Sequence, residues 1–226
     1  MQRFFDFSIS ILALIILTPL LIPIFILLKL TGEGEVFYSQ ERIGLNGETF
    51  NLLKFATMLK NSPNMGAGEL TLRDDPRVLP IGKFLRKSKI NELPQLWNIV
   101  VGNMSIVGPR PMVPNTYAEY PQDAQKKLNT VRPGLTGIGS IVFRDEEEFL
   151  ENKSDPLEFY RNKIIPYKSN LEIWYVNNNS FKTYLKCILL TAWVIFFPRK
   201  DIIKYFFEDL PAKPENLEWT IDYIFF

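Results

Sequence analysis

The segment from Phe7 to Leu28 is apolar almost throughout, and no other feature limits the fold as strongly. As a helix it is long enough to cross a hydrocarbon core of ~30 Å. Two prolines, Pro19 and Pro23, interrupt it. Each proline frees a carbonyl one turn earlier, and the Thr18 hydroxyl can offset this in part. Two paths therefore stay open: a helix that spans the bilayer, and a re-entrant helix that returns to the face by which it entered.

A β-hairpin is predicted soon after this segment. Two β-like runs, Val36–Ser39 and Glu48–Leu53, flank the dipeptide Asn46-Gly47, which is a strong signal for a tight turn. Lys54 follows the second run and is a candidate for contact with a ligand phosphate. The alternative is that it only adds charge to an edge strand.

The densest cluster of charge lies between Asp75 and Pro111. Five cations occur early in this stretch: Arg77, Lys83, Arg86, Lys87 and Lys89. The polar pair Asn91-Glu92 follows, and then Arg110, which stands between two prolines after a glycine. Clustered positive charge beside a carboxylate and a rigid arginine loop indicates a site that handles phosphate. The alternative is a surface helix with solvated lysines, because charge runs often mean no more than that.

Pro94 predicts a junction between two helices at this point. It lacks a backbone donor and clashes with the carbonyl of Ile90, so the basic helix should end or kink near Asn91. Proline is also favoured in the first turn of a helix, and the following residues are suited to one. Asn91 and Glu92 would then lie where free N–H groups favour anions.

Composition removes several classes of chemistry. The chain has no histidine, which excludes histidine-based triads and most zinc sites. Its single cysteine, Cys187, allows no internal disulfide, and a formal net charge of +1 gives no reason to expect a nucleic-acid partner. Acid–base or metal chemistry must therefore use carboxylates, lysines or tyrosines. Asp74 and Asp75 are candidates for metal binding or capping, but Arg73 and Arg77 beside them favour charge pairing.

The second half of the chain predicts mainly helices. Asn115–Leu128 should form a helix broken near Pro121, and Leu157–Tyr175 a helix kinked at Pro166. Phe181–Phe197 is amphipathic and then apolar, which suits a helix in the membrane interface or one buried in the domain's own core. The aromatic residues near the C-terminus either rest at the level of the lipid headgroups or cover the domain.

Several motifs together carry a family resemblance. They are the proline-interrupted apolar run, GEVFYSQERIG, KFATM, DPRVLPIGKFLRKSKINELPQLWNIVVGNMSIVGPRP and RPGLTG. In this order the chain resembles the bacterial sugar transferases of the monotopic phosphoglycosyl transferase type, from Arg3 to about Thr191. The resemblance implies an α+β, mainly helical fold. A re-entrant membrane helix (residues 1–30) would precede one catalytic domain with a small hairpin and interfacial helices (31–198), and an aromatic tail (199–226) would follow.

The resemblance also implies a reaction, its partners and its location. The enzyme would transfer a sugar 1-phosphate from a UDP-sugar to a polyprenyl phosphate such as undecaprenyl phosphate, and release UMP with the help of Mg²⁺. It would enter one leaflet of the bacterial inner membrane, turn at Thr18-Pro19, and keep its catalytic domain on the cytoplasmic face. A homo-oligomer is compatible with the sequence.

The same resemblance supplies roles for residues. Glu92 is the expected essential carboxylate and metal ligand, and Asn91 is its partner in the catalytic pair. The residues expected to bind substrate are Arg86, Lys87, Arg110, Lys54 and Arg77. Two departures stand out: Asn91 replaces the aspartate nucleophile of the family, and Ala56 replaces an arginine.

An amide oxygen is a poor nucleophile, so the departure at Asn91 leaves three readings of the chemistry. Either Glu92 has taken over, or the phosphosugar passes directly between two bound substrates, or the protein is a catalytically impaired scaffold that binds UDP-sugar or lipid phosphate. A bitopic anchor with a soluble binding domain is a further, weaker alternative.

Overall fold

The apolar segment forms one long helix in a computed structural model of the protein, which describes residues 1–65, 75–144, 146, 150, 153–197 and 202–214. This helix, α1 (Gln2–Leu30), is long and apolar enough to cross a membrane. It continues through both prolines, so the break predicted at Thr18-Pro19 does not end the helix. The Thr18 hydroxyl donates to the Leu14 carbonyl at 2.7 Å, one residue before the Ile15 carbonyl that Pro19 leaves without its usual backbone donor.

One side of α1 lies against the rest of the protein along its whole length. Leu14 and Leu17 pack on the main core, and Ile24 and Leu28 are buried in a second cluster near the other end. At the start, Asp6 is buried and accepts from the Ile106 N–H at 2.9 Å. The opposite side of the helix exposes only large apolar side chains between residues 12 and 26, apart from Thr18, Pro19 and Pro23.

The predicted hairpin is present. Strands β1 (Phe37–Ile43) and β2 (Thr49–Phe55) are antiparallel, and Phe37 pairs with Phe55. Asn46 and Gly47 both adopt positive φ in the turn between them, as the dipeptide predicts.

The junction at Pro94 is also confirmed. Helix α2 (Pro80–Lys87) ends before a left-handed residue, Lys89, and a short 3₁₀ turn covers Ile90–Glu92. Helix α3 (Gln95–Val101) starts directly after Pro94. The chain therefore turns sharply at Asn91 and Glu92, and both side chains lie between the two helices.

A second sheet, not foreseen from the sequence, has two very short parallel strands, β3 (Ser105–Val107) and β4 (Gly134–Thr136). The strands approach so closely that a Cβ added at Gly134 would lie 2.0 Å from the backbone nitrogen of Gly108. Only glycine is compatible with this contact. The pairing places the loop that carries Arg110 beside the RPGLTG segment.

Short helices complete the domain. They are α4 (Pro114–Ala118), α5 (Gln122–Leu128), α6 (Ile138–Val142), α7 (Pro156–Phe159), a π turn (Tyr160–Ile164), α8 (Ile165–Asn177), α9 (Phe181–Phe196) and α10 (Ile203–Phe206). The predicted break near Pro121 is confirmed, because α5 begins directly after it. Helical residues run without interruption from Pro156 to Asn177, so there is no break at Pro166, and the kink predicted there stays a prediction. Helix α9 is partly buried in the domain's own core, as one of the two alternatives predicted, because Leu190 and Val194 are buried. Other apolar residues of this helix are exposed, and its contact with the membrane interface stays a prediction.

The predicted C-terminal tail is partly integrated in the domain. Ile203 and Phe207 belong to the main core cluster, and the Tyr167 hydroxyl donates to the Pro211 carbonyl at 3.2 Å. Of the two alternatives for the aromatic tail, residues 202–214 thus cover the domain. Tyr205 is exposed, and the aromatic residues from Trp219 onward lie outside the described residues.

Candidate active site

Glu92 lies at the centre of a three-residue ionic cluster. Its Oε1 atom is 3.4 Å from the Lys54 amine and 3.3 Å from a guanidinium nitrogen of Arg110. Only 16 % of the Glu92 side chain and 17 % of the Lys54 side chain are exposed, whereas Arg110 is 39 % exposed. The structure thus brings together three of the site residues predicted from the sequence. Arg110 is the most exposed of them to solvent.

These neighbours set the protonation of the cluster. Burial alone would raise the pKa of Glu92, but the positive charges of Lys54 and Arg110 outweigh it and leave that pKa below its usual range. Burial lowers the pKa of Lys54 to about 8, although the charge of Glu92 acts in the opposite direction. Glu92 is therefore a charged carboxylate, and Lys54 changes its protonation state just above neutral pH.

Asn98 holds the hairpin and the helix junction together. The Asn98 side-chain amide donates to the Asn51 carbonyl at 2.8 Å and accepts from the Leu53 N–H at 2.9 Å. Because Lys54 follows Leu53 on β2 and Glu92 precedes α3, this double hydrogen bond fixes the distance between the two charged residues. Asn98 is itself buried.

The loop of Arg110 is held from two sides. Arg42 on β1 donates to the Pro111 carbonyl at 3.1 Å, and the Ile43 N–H donates to the Met112 carbonyl at 2.9 Å. On the other side, the backbone N–H of Arg110 donates to Glu172 at 3.4 Å. The prolines that flank Arg110 further limit the loop. From the sequence, Arg42 beside the turn is, like Lys54, a candidate for contact with a ligand phosphate or only an edge-strand charge; in the structure it holds this loop.

Asn91 is buried beside the cluster and is 6 % exposed. Its Oδ1 atom has no hydrogen-bond partner among the described residues, although the side chain lines the same cavity as Glu92. A buried amide oxygen without a partner carries a desolvation cost of about 1–3 kcal/mol. Such a group is suited to receive a donor or a cation from a ligand.

The cavity in front of this cluster has a volume of about 1990 Å³. Arg86 and Lys87 line it, as the sequence predicted for residues that contact substrate. Arg86 is half-buried and lies 3.9 Å from the Met58 sulfur, and Lys87 is exposed. Their roles in binding substrate remain predictions, but both residues line the same cavity as Glu92.

Arg77 is engaged differently from what the sequence predicted. It is 4 % exposed, and its guanidinium forms a short ion pair with Asp75 at 2.6 Å. It also donates to the carbonyls of Ser62 and Met65, each at 2.8 Å. The structure therefore gives Arg77 a role in stabilising its own loop, as charge pairing with an aspartate suggested. Asp74, the other member of the predicted acidic pair, lies outside the described residues.

Two charged residues of α8 complete the wall of the cavity, and the sequence did not identify either. Lys168 is buried, and its amine lies 2.7 Å from the Glu146 carboxylate. Glu172, one turn later, is also buried, and its Oε2 atom has no hydrogen-bond partner among the described residues. Burial raises the pKa of Glu172 to about 7. The only signal in the sequence was their spacing of four, which places both on one face of a helix.

The donor set bears on the expected magnesium ion. Within the described parts of the chain no three acidic, histidine or cysteine side chains form a group that could hold a metal. Mg²⁺, however, is commonly bound through one or two carboxylates and completed by substrate phosphates and water. The Glu92 carboxylate and the unpartnered oxygen of Asn91 fit that pattern.

The chain is similar to known proteins along most of its length. The family described as "Bacterial sugar transferase" matches residues 1–198. The exopolysaccharide production protein ExoY of Sinorhizobium fredii is 44 % identical over 162 residues, which are 66 % of this chain and 71 % of ExoY. The uncharacterized sugar transferase EpsL of Bacillus subtilis is 32 % identical, with 85 % of each chain covered.

A relative with a more specific name is longer than this chain. The undecaprenyl-phosphate galactose phosphotransferase of Salmonella typhimurium is 30 % identical over 216 residues, which are 89 % of this chain but 41 % of that protein. The chain thus spans less than half of this relative. The family match over residues 1–198 shows that the protein is a member of the bacterial sugar transferase family.

Proposed function

We propose that the protein transfers a sugar 1-phosphate from a UDP-sugar to a polyprenyl phosphate and releases UMP. Relatives named as undecaprenyl-phosphate glucose and galactose phosphotransferases support the acceptor and the reaction class. The observation that carries the proposal is the contact of one carboxylate, Glu92, with both Lys54 and Arg110 at the edge of a large cavity.

The cluster suits a reaction between two anions. Both substrates carry phosphate, so the site must offset negative charge before they can approach each other. Arg110 and Lys54 supply this charge, and Glu92 fixes their positions in the absence of substrate. Arg86 and Lys87 add positive charge on the same cavity wall. Arginine is suited to bidentate contact with phosphate, which gives orientation as well as charge.

The step itself is a displacement at phosphorus. A phosphate oxygen of the lipid forms a bond to the phosphorus that bears the sugar, and the bond from that phosphorus to the oxygen of UMP breaks. The products are the polyprenyl diphosphosugar and UMP, which leaves with the electron pair. Arg110 and Lys54 stabilise the charge on the departing phosphate.

We infer that this transfer is direct. A covalent phosphosugar intermediate needs a free carboxylate as nucleophile, and Asn91 has none. Glu92 is paired with two cations, and its lowered pKa makes it a weak nucleophile. Asn91 would use its unpartnered oxygen to orient substrate or metal instead.

Mg²⁺ is part of the proposal. Glu92 and Asn91 are the residues that would hold it, with substrate phosphate as the remaining ligand. When bound, the ion would neutralise phosphate charge and align the phosphates.

The contacts of α1 favour a one-leaflet arrangement in the bacterial inner membrane, with the domain on the cytoplasmic face. At ~1.5 Å per residue, α1 is ~40 Å long, which exceeds the hydrocarbon core. Yet residues near both ends, Asp6 and Leu28, pack against the same polar domain. A helix perpendicular to the bilayer would force that domain into the lipid. A helix whose apolar side enters one leaflet avoids this cost.

The test uses the full-length protein in detergent or nanodiscs. A panel of UDP-sugars is incubated with undecaprenyl phosphate and Mg²⁺, and UMP release is measured. We expect release that depends on the lipid, and no mass increase of the protein when the donor is added alone. An adduct of sugar-phosphate mass would contradict direct transfer, and the absence of UMP with every sugar would contradict the function.

An Asn91→Asp variant separates direct transfer from an inactive scaffold. In a working enzyme the change alters an existing rate and permits a covalent adduct. In an inactive scaffold it would create activity where the original chain has none.

A further inference from the structure

One rim of the catalytic cavity is apolar, and it is formed by α9. Ile188, Ala192 and Ile195 line the cavity from this helix. Their spacing of four and three residues places them in one stripe along the helix. Ala192 is exposed, and Ile195 is 57 % exposed. The stripe is therefore an open edge of the cavity and not part of its closed floor.

The stripe offers no free polar group. No residue from Cys187 to Phe196 is charged. Thr191 is the only residue with a hydroxyl in this range, and that hydroxyl lies 2.7 Å from the Cys187 carbonyl and 2.8 Å from the Thr136 hydroxyl. Its hydrogen-bonding capacity is used inside the protein. Arg144, which also lines the cavity, donates to the Val194 carbonyl of this helix. The side chains of the stripe itself are apolar, so an apolar chain gains by contact with them.

The stripe continues into an outward apolar surface. Leu189 is 62 % exposed and Trp193 is 44 % exposed, and both lie on the adjacent side of α9. Exposed apolar surface with a tryptophan is typical of a helix in contact with lipid. One continuous apolar surface thus leads from the charged cavity to the outside of the domain.

We propose that this rim, Ile188–Ala192–Ile195, is the binding site for the polyprenyl chain of the acceptor. The proposal rests on the proposed function, which brings the acceptor phosphate into the charged part of the cavity that contains Lys54 and Arg110. The phosphate would lie in the charged part of the cavity, and the first isoprene units would cross the rim on their way to the lipid.

A second apolar edge lies at Phe37, and the geometry of the hairpin argues against it. Phe37 lies opposite Phe55, and its ring is stacked on that of Phe55 at 5.6 Å. Phe37 and Phe55 also line the large cavity. Successive side chains of a strand point to opposite faces, however, so Phe55 points away from the face on which Lys54 reaches Glu92. The ring of Phe37 instead contacts Phe25 of α1 at 6.1 Å.

The experiment compares acceptors of different chain length. Ala192→Trp fills the rim, and Leu189→Trp places the same side chain on the outward surface of the same helix as a matched control. The KM values for undecaprenyl phosphate, for geranyl phosphate and for the UDP-sugar are measured for each full-length variant. For Ala192→Trp we expect the KM for undecaprenyl phosphate to rise about ten-fold or more, the range that misfit in an apolar site produces. The KM for the donor should stay unchanged.

Chain-length dependence is the decisive signature. The effect of Ala192→Trp on geranyl phosphate should be much smaller, and Leu189→Trp should behave like the original chain with both acceptors. Ile195→Asn, which leaves the rim open but makes it polar, provides a second variant if Ala192→Trp does not fold. An unchanged KM for undecaprenyl phosphate in a folded variant overturns the proposal, as does an equal loss with both acceptors or with the donor.

A chain-length effect found only in a Phe37→Ala variant would place the lipid at the hairpin and also overturn the proposal. Failure of the proposed function is a distinct result, because the original chain would then release no UMP with any acceptor.

Discussion

Glu172 accepts a hydrogen bond at 3.4 Å from the backbone N–H of Arg110, the residue whose guanidinium donates to Glu92 at 3.3 Å. Two carboxylates therefore act on one arginine, one through its backbone and one through its side chain. Glu172 does not touch Glu92 directly, and we regard it as a positioning residue for the arginine loop. A Cβ at Gly139 would lie 2.3 Å from the same oxygen of Glu172, so the carboxylate is also held by close packing.

Glu172→Gln should stabilise the protein at pH 8 and lower its activity. Burial raises the pKa of Glu172 to about 7 from an ordinary value of 4.5. Above pH 7 the folded state therefore holds a buried charge, and unfolding would return this charge to water. At about 1.4 kcal/mol per pKa unit, the gain on neutralisation is on the order of 2–3 kcal/mol. At pH 5 the folded carboxyl is neutral but the unfolded one, with a pKa of 4.5, is largely ionised, so the gain of the variant should fall to below about 1 kcal/mol.

The measurement is the free energy of unfolding of both proteins at pH 5 and pH 8. The exposed residue Glu158 provides a control, since Glu158→Gln should change stability at neither pH. A variant that is destabilised at pH 8 would show that the charge of Glu172 is compensated in the folded protein.

The pH dependence of activity should report Lys54. Because the pKa of Lys54 lies at about 8, the lysine loses its proton above that pH and with it the contact with Glu92. We expect kcat/KM to fall as pH rises through 8. Arginine keeps its charge far above this range, so Lys54→Arg should move the fall to higher pH, whatever its effect on the maximal rate. An identical alkaline limb in both proteins would assign the limb to another group.

Glu92→Gln should abolish UMP release, with a loss of at least about 100-fold in kcat, the usual cost of removing one electrostatic group from an active site. An amide has no charge to hold both Lys54 and Arg110. Glu48→Gln changes an exposed carboxylate in the hairpin turn and should leave kcat unchanged. Turnover of Glu92→Gln at the original rate would refute the assignment.

Asn98→Leu should destabilise the protein by about 2–4 kcal/mol, because the Asn51 carbonyl and the Leu53 N–H lose their partner in two partly buried hydrogen bonds. Since Asn98 also fixes the separation of Lys54 and Glu92, activity should fall further than the folded fraction does. Chemical denaturation combined with kinetics of the folded protein measures both. Asn103→Leu changes an exposed residue after α3 and serves as the comparison.

The sequence predicted the parts of the site that follow one another closely. Asn46-Gly47 fixes the hairpin turn, Pro94 fixes the start of α3, and the charge run up to Glu92 identifies the carboxylate. These signals are local, because each depends on the conformational limits of one or two residues. The contact of Glu92 with Arg110 was expected from their closeness in the chain.

What the sequence could not predict depends on distant packing. Strands β3 and β4 have three residues each, too few for any periodic pattern, and their pairing rests on glycines that allow close approach. Glu172 and Lys168 lie far along the chain, on a helix whose apolar residues gave no hint of a polar face toward the cavity. Charge pairing of Arg77 with a neighbouring aspartate was favoured from the sequence and is found with Asp75, whereas the contact of Arg77 with substrate stays a prediction.

Asp6 gives α1 a property that hydrophobicity alone would not. The Asp6 carboxylate lies near the start of α1 and accepts hydrogen bonds from the Ser105 hydroxyl, the Ile106 N–H and the Tyr184 hydroxyl. These donors belong to parts of the chain that are synthesised much later. Until those residues have been synthesised, none of these donors is available to Asp6, and a charged side chain without partners disfavours deep insertion of a helix into the bilayer. In the proposed one-leaflet arrangement, the start of α1 would therefore take its final position only after Tyr184 has been synthesised.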